Sequence, residues 1–134
     1  MSLARGKGSW YLPGLLYDLA FGGMFRGLRR RVAWAVEAEA LHPWLDVCCG
    51  TGAQLRGYVP GGRPPEDSAS YRGSTGAPDR AVFGLDLSFG FVRYAAARAP
   101  GVPFVCGDAA RLPFRGGSAW AVSISFALHD KAPE

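Results

Sequence analysis

Three polar positions in the sequence each follow an apolar run and could together bind a small ligand. Gly50, Thr51 and Gly52 come after the run WLDVCC, Asp86 ends AVFGLD, and Asp108 follows VPFVCG. Glycines allow a sharp turn and leave no Cβ between the backbone and a ligand. A carboxylate has two acceptor oxygens, which suits the hydroxyls of a ribose or the exocyclic amine of adenine. These residue types predict a site for an adenosine-containing ligand.

The residues around the glycine turn favour a cationic ligand over a dinucleotide. A dinucleotide site has the pattern G-x-G-x-x-G after a strand, whereas Cys48 replaces the first glycine here and Asp46 precedes the turn. A carboxylate at that position would repel a pyrophosphate, and it suits an ammonium group. S-adenosylmethionine has an ammonium, a sulfonium, a ribose diol and adenine, and it carries no phosphate.

Strands that alternate with helices must position these residues. Helical periodicity is found at 10–41, with an expected interruption at Pro13-Gly14, and at 88–99, where Ser88 is a plausible N-cap. The turn after residue 52 is expected to lead into a further helix. This alternation predicts an open, parallel α/β sheet, in which ligands bind beyond the carboxyl ends of the strands. Four apolar runs are predicted to be the strands: 44–48, 81–88, 102–108 and 118–130.

The length of 134 residues corresponds to one domain with three predicted parts. Residues 1–9 are expected to be disordered, 10–42 form an N-terminal helical segment, and 43–134 form a partial Rossmann-like domain. Residues 59–80 are rich in proline, glycine and serine and have no apolar periodicity. We expect them to form a disordered loop, because loops of this length are uncommon in compact domains.

Charge and cysteine content limit the classes of partner. The net charge of +4 is mild. The densest cluster of positive residues consists of Arg26, Arg29, Arg30 and Arg31. It is more typical of a solvated helix face than of a patch for an anionic partner, which is the alternative. We therefore expect no nucleic-acid partner.

Cysteine pattern and hydropathy favour a cytoplasmic protein without a metal site. Cys48, Cys49 and Cys106 have no C-x-x-C spacing, and a bridge between adjacent cysteines would be strained. The sequence shows no export leader and no run of about 18 apolar residues. We accordingly expect a reduced compartment and no membrane insertion.

Four segments in order, LDVCCGTG, VFGLDLS, VCGDAARLPF and WAVSISFALHD, resemble the successive motifs of class I S-adenosylmethionine-dependent methyltransferases. The small-molecule branch that includes the ubiquinone and menaquinone C-methyltransferases is the most similar. The resemblance runs from Tyr17 to Glu134. It implies a Rossmann-like, doubly wound parallel sheet, here partial with strand order 3-2-1-4 after N-terminal helices. It also implies S-adenosylmethionine as cofactor and a small-molecule methyl acceptor.

The resemblance further implies roles for individual residues, and each role has a structural alternative. In the structural alternatives, Asp46 has a structural partner such as loop amides, and Asp86 and Asp108 are turn or cap carboxylates. Tyr17 is then a core aromatic, and His129 is a polar loop residue or cap. For His129 that alternative is favoured over orienting or deprotonating the acceptor. The implied cofactor contacts are Asp46 with Gly50, Thr51 and Gly52 at the methionine moiety, Cys48 in the same turn, Asp86 at the ribose, Leu87, Asp108 and Ala109 at the adenine, Phe126 at the methyl-donor face, and Tyr17 closing over the cofactor.

The sequence departs from the family at two places. The family usually has glycine where Cys48 stands, and the cysteine side chain is expected to narrow the turn. We still expect the turn to form, because Gly50 and Gly52 remain. Family members also continue for a further half-domain. The predicted strand at 119–128 would then be an apolar edge able to pair with a second copy or a partner chain, unless the sequence is truncated or a fragment.

Three functions follow from these observations. The first is a small-molecule methyltransferase, from which we expect weak activity or none in this short form. The second is a non-catalytic module that binds the cofactor and is completed by a partner chain. A nucleotide-binding oxidoreductase is the third, and Cys48 with Asp46 argues against it.

Overall fold

The computed structural model describes residues 10–56 and 81–125, which form four helices and four strands. The segments predicted to be disordered, 1–9 and 59–80, lie outside the described residues, and the division of the chain into three parts stays a prediction. The elements are α1 Tyr11–Phe21, α2 Arg26–Ala38, β1 Trp44–Val47, α3 Ala53–Arg56, β2 Val82–Asp86, α4 Phe89–Arg98, β3 Phe104–Cys106 and β4 Ala121–Ile124.

The strands form one parallel sheet in the order β3-β2-β1-β4, which confirms the predicted α/β fold and strand order. Asp46 of β1 is in register with Gly84 of β2 on one side and with Ser123 of β4 on the other. The carboxyl ends of β1 and β2 therefore lie at the same edge of the sheet, where the chain leaves both strands in polar turns.

Strand β1 is buried on both faces, as expected for a central parallel strand. Trp44 packs on one face with Val36 and Leu55, while Leu45 and Val47 pack on the other with partners that include Leu85 and Ala109. Because side chains alternate along a strand, Asp46 lies on the same face as Trp44, beneath α2 and α3.

The predicted interruption of the first helix at Pro13-Gly14 is wrong, because α1 continues through both residues. Pro13 lies in the first turn, where a backbone N–H has no partner within the helix, so its missing N–H breaks no helical bond. Gly14 is buried, and a Cβ on it would lie 2.5 Å from Cγ of Tyr94. The glycine thus allows α1 to pack closely on α4.

Helix α4 begins as the sequence predicted. The Oγ of Ser88 accepts a hydrogen bond from the backbone N–H of Phe91, so Ser88 is the N-cap. Tyr94 and Ala95 are buried on its inner face.

Strand β4 is described over Ala121–Ile124, within the predicted 118–130. Trp120 and Val122 are exposed to 75% and 62% of their surface. Strand β4 therefore has one solvent-exposed apolar face in the described structure.

None of the helices within residues 10–56 and 81–125 has both the length and the apolar character needed to cross a membrane.

Candidate functional site

The turn between β1 and α3 adopts a backbone that favours glycine at three positions. Cys48, Gly50 and Gly52 have φ angles of 56°, 54° and 71°. A Cβ on Gly52 would lie 2.8 Å from Cβ of Ala95, so this glycine lets the turn pack on α4. A Cβ on Gly50 would meet nothing within 4 Å, because Gly50 borders an open cleft. The turn forms despite Cys48, which holds a left-handed conformation that costs most side chains energy.

Asp86 joins this turn to the end of β2. Its Oδ2 accepts a hydrogen bond from the backbone N–H of Gly50 at 2.8 Å, and its Oδ1 accepts one from Ser88 N–H at 2.8 Å. Each carboxylate oxygen can accept more than one hydrogen bond. Asp86 can therefore hold the two loops together and still accept hydrogen bonds from a ligand in the cleft that it lines.

Asp46 is a buried carboxylate at the base of the cleft, with 2% of its surface exposed. Ser123 Oγ donates to its Oδ1 at 2.6 Å and itself accepts from Trp44 Nε1 at 2.8 Å. Burial raises the pKa of Asp46 to about 6, the hydrogen bond from Ser123 opposes the rise, and the nearby Asp86 adds to it. The partner of Asp46 is thus a hydroxyl of β4 rather than the loop amides that the sequence suggested.

A cleft of about 520 Å³ lies over these two carboxylates. Seven residues predicted to contact the cofactor line it together: Tyr17, Asp46, Cys48, Gly50, Thr51, Asp86 and Leu87. Gly52 lies in the turn behind it. Phe126 and His129 lie outside the described residues, so their predicted roles at the methyl-donor face and at the acceptor stay predictions.

Asp108 and Ala109 do not line the cleft in the described structure. Asp108 is exposed, and its Oδ1 accepts a hydrogen bond from Ala110 N–H at 2.8 Å, within its own turn. Ala109 packs against the core cluster of Leu45, Val47 and Leu85. Their predicted contacts with adenine stay predictions, while the turn role foreseen as the alternative for Asp108 is present.

The aromatic wall of the cleft comes from α1 and α4. The ring of Tyr17 lies 5.0 Å from that of Phe21 and 6.0 Å from that of Phe91, measured between centroids. Tyr17 is 40% exposed and borders the cleft, so it is not a buried core aromatic.

Asp18 holds α1 against the cleft and was not identified from the sequence. Its Oδ1 accepts from Thr51 Oγ1 at 2.6 Å, while its Oδ2 accepts from Arg56 at 2.6 Å and from Tyr94 at 2.9 Å. Burial opposes ionisation, but these donors outweigh it and hold the pKa of Asp18 below its usual value. An acidic residue within an apolar helix, beside Tyr17, is the signal that could have identified it.

Other lining residues missed from the sequence include Arg29, Gln54, Ser88, Phe91 and Ser125. Arg29 donates from Nη1 to the carbonyl oxygen of Gly22 at 2.8 Å, and Gln54 donates from Nε2 to that of Arg29 at 2.9 Å. Side chains thereby connect α2 to the turn before it and to α3. Only the tertiary fold brings these residues together.

The thiols and carboxylates of the site form no metal centre within residues 10–56 and 81–125, where no group of three or more His, Cys, Asp or Glu is suitably placed. Cys49 is a buried residue, and burial raises the pKa of its thiol, which keeps the thiol protonated. The polar side chains that line the described cleft include the carboxylates Asp46 and Asp86, the guanidinium of Arg29, the amide of Gln54, and the hydroxyls of Thr51, Ser88 and Ser125.

The parallel sheet, the glycine turn and the paired carboxylates define a Rossmann-like domain with a ligand site at the carboxyl ends of β1 and β2. Residues 45–133 match the family model described as "Methyltransferase domain". The chain belongs to this methyltransferase domain family, which confirms the resemblance seen in its motifs.

Curated relatives are demethylmenaquinone methyltransferases. The protein of Renibacterium salmoninarum is 34% identical over 113 residues, covering 84% of this chain and 40% of the relative. That of Beutenbergia cavernae is 43% identical over 119 residues, covering 89% and 42%. The chain thus spans about 40% of the length of these relatives.

Solved structures share the fold. CalS10, an amino pentose methyltransferase of Micromonospora echinaspora involved in calicheamicin biosynthesis, was solved with S-adenosylmethionine bound. It superposes with a TM-score of 0.61 at 26% identity, covering 84% of this chain and 42% of that one. DesVI of Streptomyces venezuelae, at 24% identity and a TM-score of 0.53, shares the fold over 82% of this chain and 41% of its own.

Proposed function

We propose that this chain carries the cofactor site of an S-adenosylmethionine-dependent methyltransferase that acts on a small-molecule acceptor. The observation that carries the proposal is the pair of carboxylates, Asp46 and Asp86, that lines the cleft beside a glycine turn. Because Asp46 lies at the base of the cleft, its carboxylate would repel a phosphate and attract a cation. Membership of the methyltransferase domain family and the cofactor bound to CalS10 support this ligand.

The residues of the cleft fit the chemical groups of S-adenosylmethionine. Asp46 would attract the ammonium of the methionine moiety, with Gly50 and Thr51 beside it. Asp86 would accept hydrogen bonds from the ribose hydroxyls, and Leu87, which is 70% exposed, would pack on the adenine. Tyr17 would close the cleft from α1. These assignments, and those of Gly52, Asp108, Ala109 and Phe126, are proposals.

The bound cofactor would supply a methyl group activated by its sulfonium. Transfer of that group is an in-line displacement, so the chain has to align the acceptor and exclude water. A general base is needed only where the acceptor must lose a proton, and His129 is our candidate for orienting the acceptor or taking that proton. Phe91 and Tyr17 would keep water from one wall of the cleft.

The acceptor we propose is a small, apolar molecule of the quinone-precursor kind. The names of the curated relatives support this class, and the apolar side chains of α1 are consistent with it. The compartment we propose is the cytoplasm, because the described cysteines are free thiols.

The greater length of the relatives supports a further proposal, that β4 pairs with another strand to extend the sheet. That strand would belong to a partner chain, to a second copy of this one, or to a longer form of the same protein. The exposed apolar face of β4 lies beside this edge.

Calorimetric titration with S-adenosylhomocysteine tests the cofactor site. We expect the chain to bind it and Asp86→Ala to abolish binding. Glu39→Ala, which removes an exposed carboxylate at the end of α2, is the matched control and should bind as the parent does. Preferential binding of NAD, or no binding by a chain that circular dichroism shows to be folded, would refute the proposal.

A second assay separates an enzyme from a binding module. Methyl transfer from labelled S-adenosylmethionine to a demethylated quinone would support the catalytic proposal. Tight cofactor binding without any turnover would instead favour the non-catalytic module.

A further inference from the structure

A second cavity, of about 270 Å³, lies beside the cofactor cleft and is lined by four arginines. Arg26, Arg29 and Arg30 come from the first turns of α2, and Arg56 ends α3. Its remaining lining residues include Ala33 and Gly22, which are small and leave the guanidinium groups as the dominant chemistry.

This convergence differs from an ordinary solvated helix face. Residues three and four apart share one face of a helix, so Arg26 lies beside both Arg29 and Arg30, and like charges at this spacing are destabilising. Arg56 adds a fourth positive charge from a different element. The arginines of a solvated helix face point into open solvent, whereas these arginines come from two helices and line one cavity.

Two of the four guanidinium groups are held in place by the protein. Arg56 Nη1 donates to Asp18 Oδ2 at 2.6 Å, and Arg29 Nη1 donates to the carbonyl oxygen of Gly22 at 2.8 Å. A guanidinium has five N–H donors, so one such bond leaves donors able to face the cavity. Fixing their orientation reduces the entropy that a ligand would have to remove.

Within residues 10–56 and 81–125, the four arginines of the cavity outnumber the carboxylates that interact with them, which are Asp18 at Arg56 and Asp46 near Arg29. Asp18 is the carboxylate that pairs with Arg56, and it also accepts from Thr51 and Tyr94. In the described part of the chain, the ion pairs involve neither Arg26 nor Arg30. Both are exposed at the mouth of the cavity and can turn toward an anion.

We propose that this cavity is a binding site for a multivalent phosphate-type anion, either a free diphosphate or the phosphomonoester of a lipid headgroup. Guanidinium groups bind phosphate oxygens in bidentate pairs, and several of them favour an anion of more than one charge. Arg29 and Gln54 line both this cavity and the cofactor cleft. The anion would therefore bind directly beside the cofactor site without entering it.

The first test is titration with inorganic diphosphate at an ionic strength of about 0.15 M, where the Debye length is about 8 Å. We expect binding that weakens by about tenfold or more in Arg26→Gln/Arg30→Gln, because bonds to charged groups are each worth at least that factor. Arg31→Gln is the matched control: Arg31 is exposed on α2 but does not line the cavity. It should change the affinity by less than about twofold, since an exposed charge outside the cavity is screened.

Vesicle flotation distinguishes the two sources of the phosphate. Binding to phosphatidic acid vesicles but not to phosphatidylcholine vesicles, lost in the double variant and kept in Arg31→Gln, would assign the site to a lipid headgroup. Diphosphate binding without vesicle binding would assign it to a soluble phosphate.

The proposal is overturned if folded protein binds neither probe, or if Arg31→Gln weakens binding as much as the double variant does. The affinity for S-adenosylhomocysteine should be the same in the parent and the double variant, because Arg26 and Arg30 do not line the cofactor cleft. A failure of the anion site is thereby distinguished from a failure of the proposed function.

Discussion

Replacing Asp46 with asparagine should stabilise the protein at neutral pH while weakening its binding of the cofactor. The pKa of this carboxyl is raised from 3.8 to about 6, mainly by burial. A carboxyl with a raised folded-state pKa makes the native state bind more protons than the unfolded state between these two values. Its contribution to stability is therefore complete below pH 3.8 and is lost as the pH rises through about 6.

The size of this effect follows from the shift in the pKa. Each pKa unit corresponds to about 1.4 kcal/mol, so ionising Asp46 in the folded chain costs about 3 kcal/mol. Asparagine keeps an oxygen that can accept from Ser123, but its new N–H group needs a partner, which costs about 1 kcal/mol or more if none is found. We expect Asp46→Asn to raise the free energy of unfolding by about 1–2 kcal/mol at pH 8 and to give no gain at pH 4.

Urea unfolding followed by tryptophan fluorescence at pH 4, 6 and 8 measures this difference. Asp108→Asn, which removes an exposed carboxylate from a turn, is the control for the general effect of replacing an aspartate with asparagine. An Asp46→Asn protein that is less stable than the parent at pH 8, with an unchanged slope against pH, would refute the reasoning. It would mean that Asp46 is ionised and well stabilised in the absence of ligand.

Three further outcomes are expected from the same structure. Cys48→Gly should raise the free energy of unfolding by about 1 kcal/mol in thermal melts, because φ is 56° at Cys48, and Cys48→Ala should give no such gain. Asp18→Asn should lower the free energy of unfolding by about 2 kcal/mol at pH 7 in urea melts. Because the pKa of Asp18 in the folded chain lies below 3.8, this loss should shrink as the pH falls through that folded-state pKa. Below pH 6, the affinity for S-adenosylmethionine should increase by up to about tenfold for each unit by which the pH is raised, because Asp46 becomes ionised. Calorimetric titrations should show that Asp46→Asn removes this dependence.

Local patterns were sufficient to predict the sheet and the centre of the cleft. Alternation of apolar runs with helical stretches determines the order of the elements, and the carboxyl ends of parallel strands meet at one edge of the sheet. Gly50, Asp46 and Asp86 could be identified because each stands at or near a strand end. The left-handed backbone at Cys48 likewise explains why glycine is favoured there.

Contacts between distant segments could not be predicted in this way. Asp18 meets Thr51, Arg56 and Tyr94 only after α1 packs on α4, and nothing near Asp18 in the sequence specifies those partners. The continuity of α1 through Pro13 depends on its exact first residue, which periodicity does not determine.

Strand β4 contributes to the cleft proposed as the cofactor site as well as to the sheet. The register that places Ser123 beside Asp46 supplies the hydroxyl that donates to the carboxylate, and Trp44 holds that hydroxyl from the neighbouring position on the same face of β1. This hydrogen bond opposes the effect of burial on the pKa of Asp46. Side chains alternate along a strand, so Ser123 lies on the face of β4 opposite to the exposed Val122, and packing on the exposed face does not reach its hydroxyl. The charge at the base of the cleft therefore depends on the register between β1 and β4, because that register places the Ser123 hydroxyl beside Asp46.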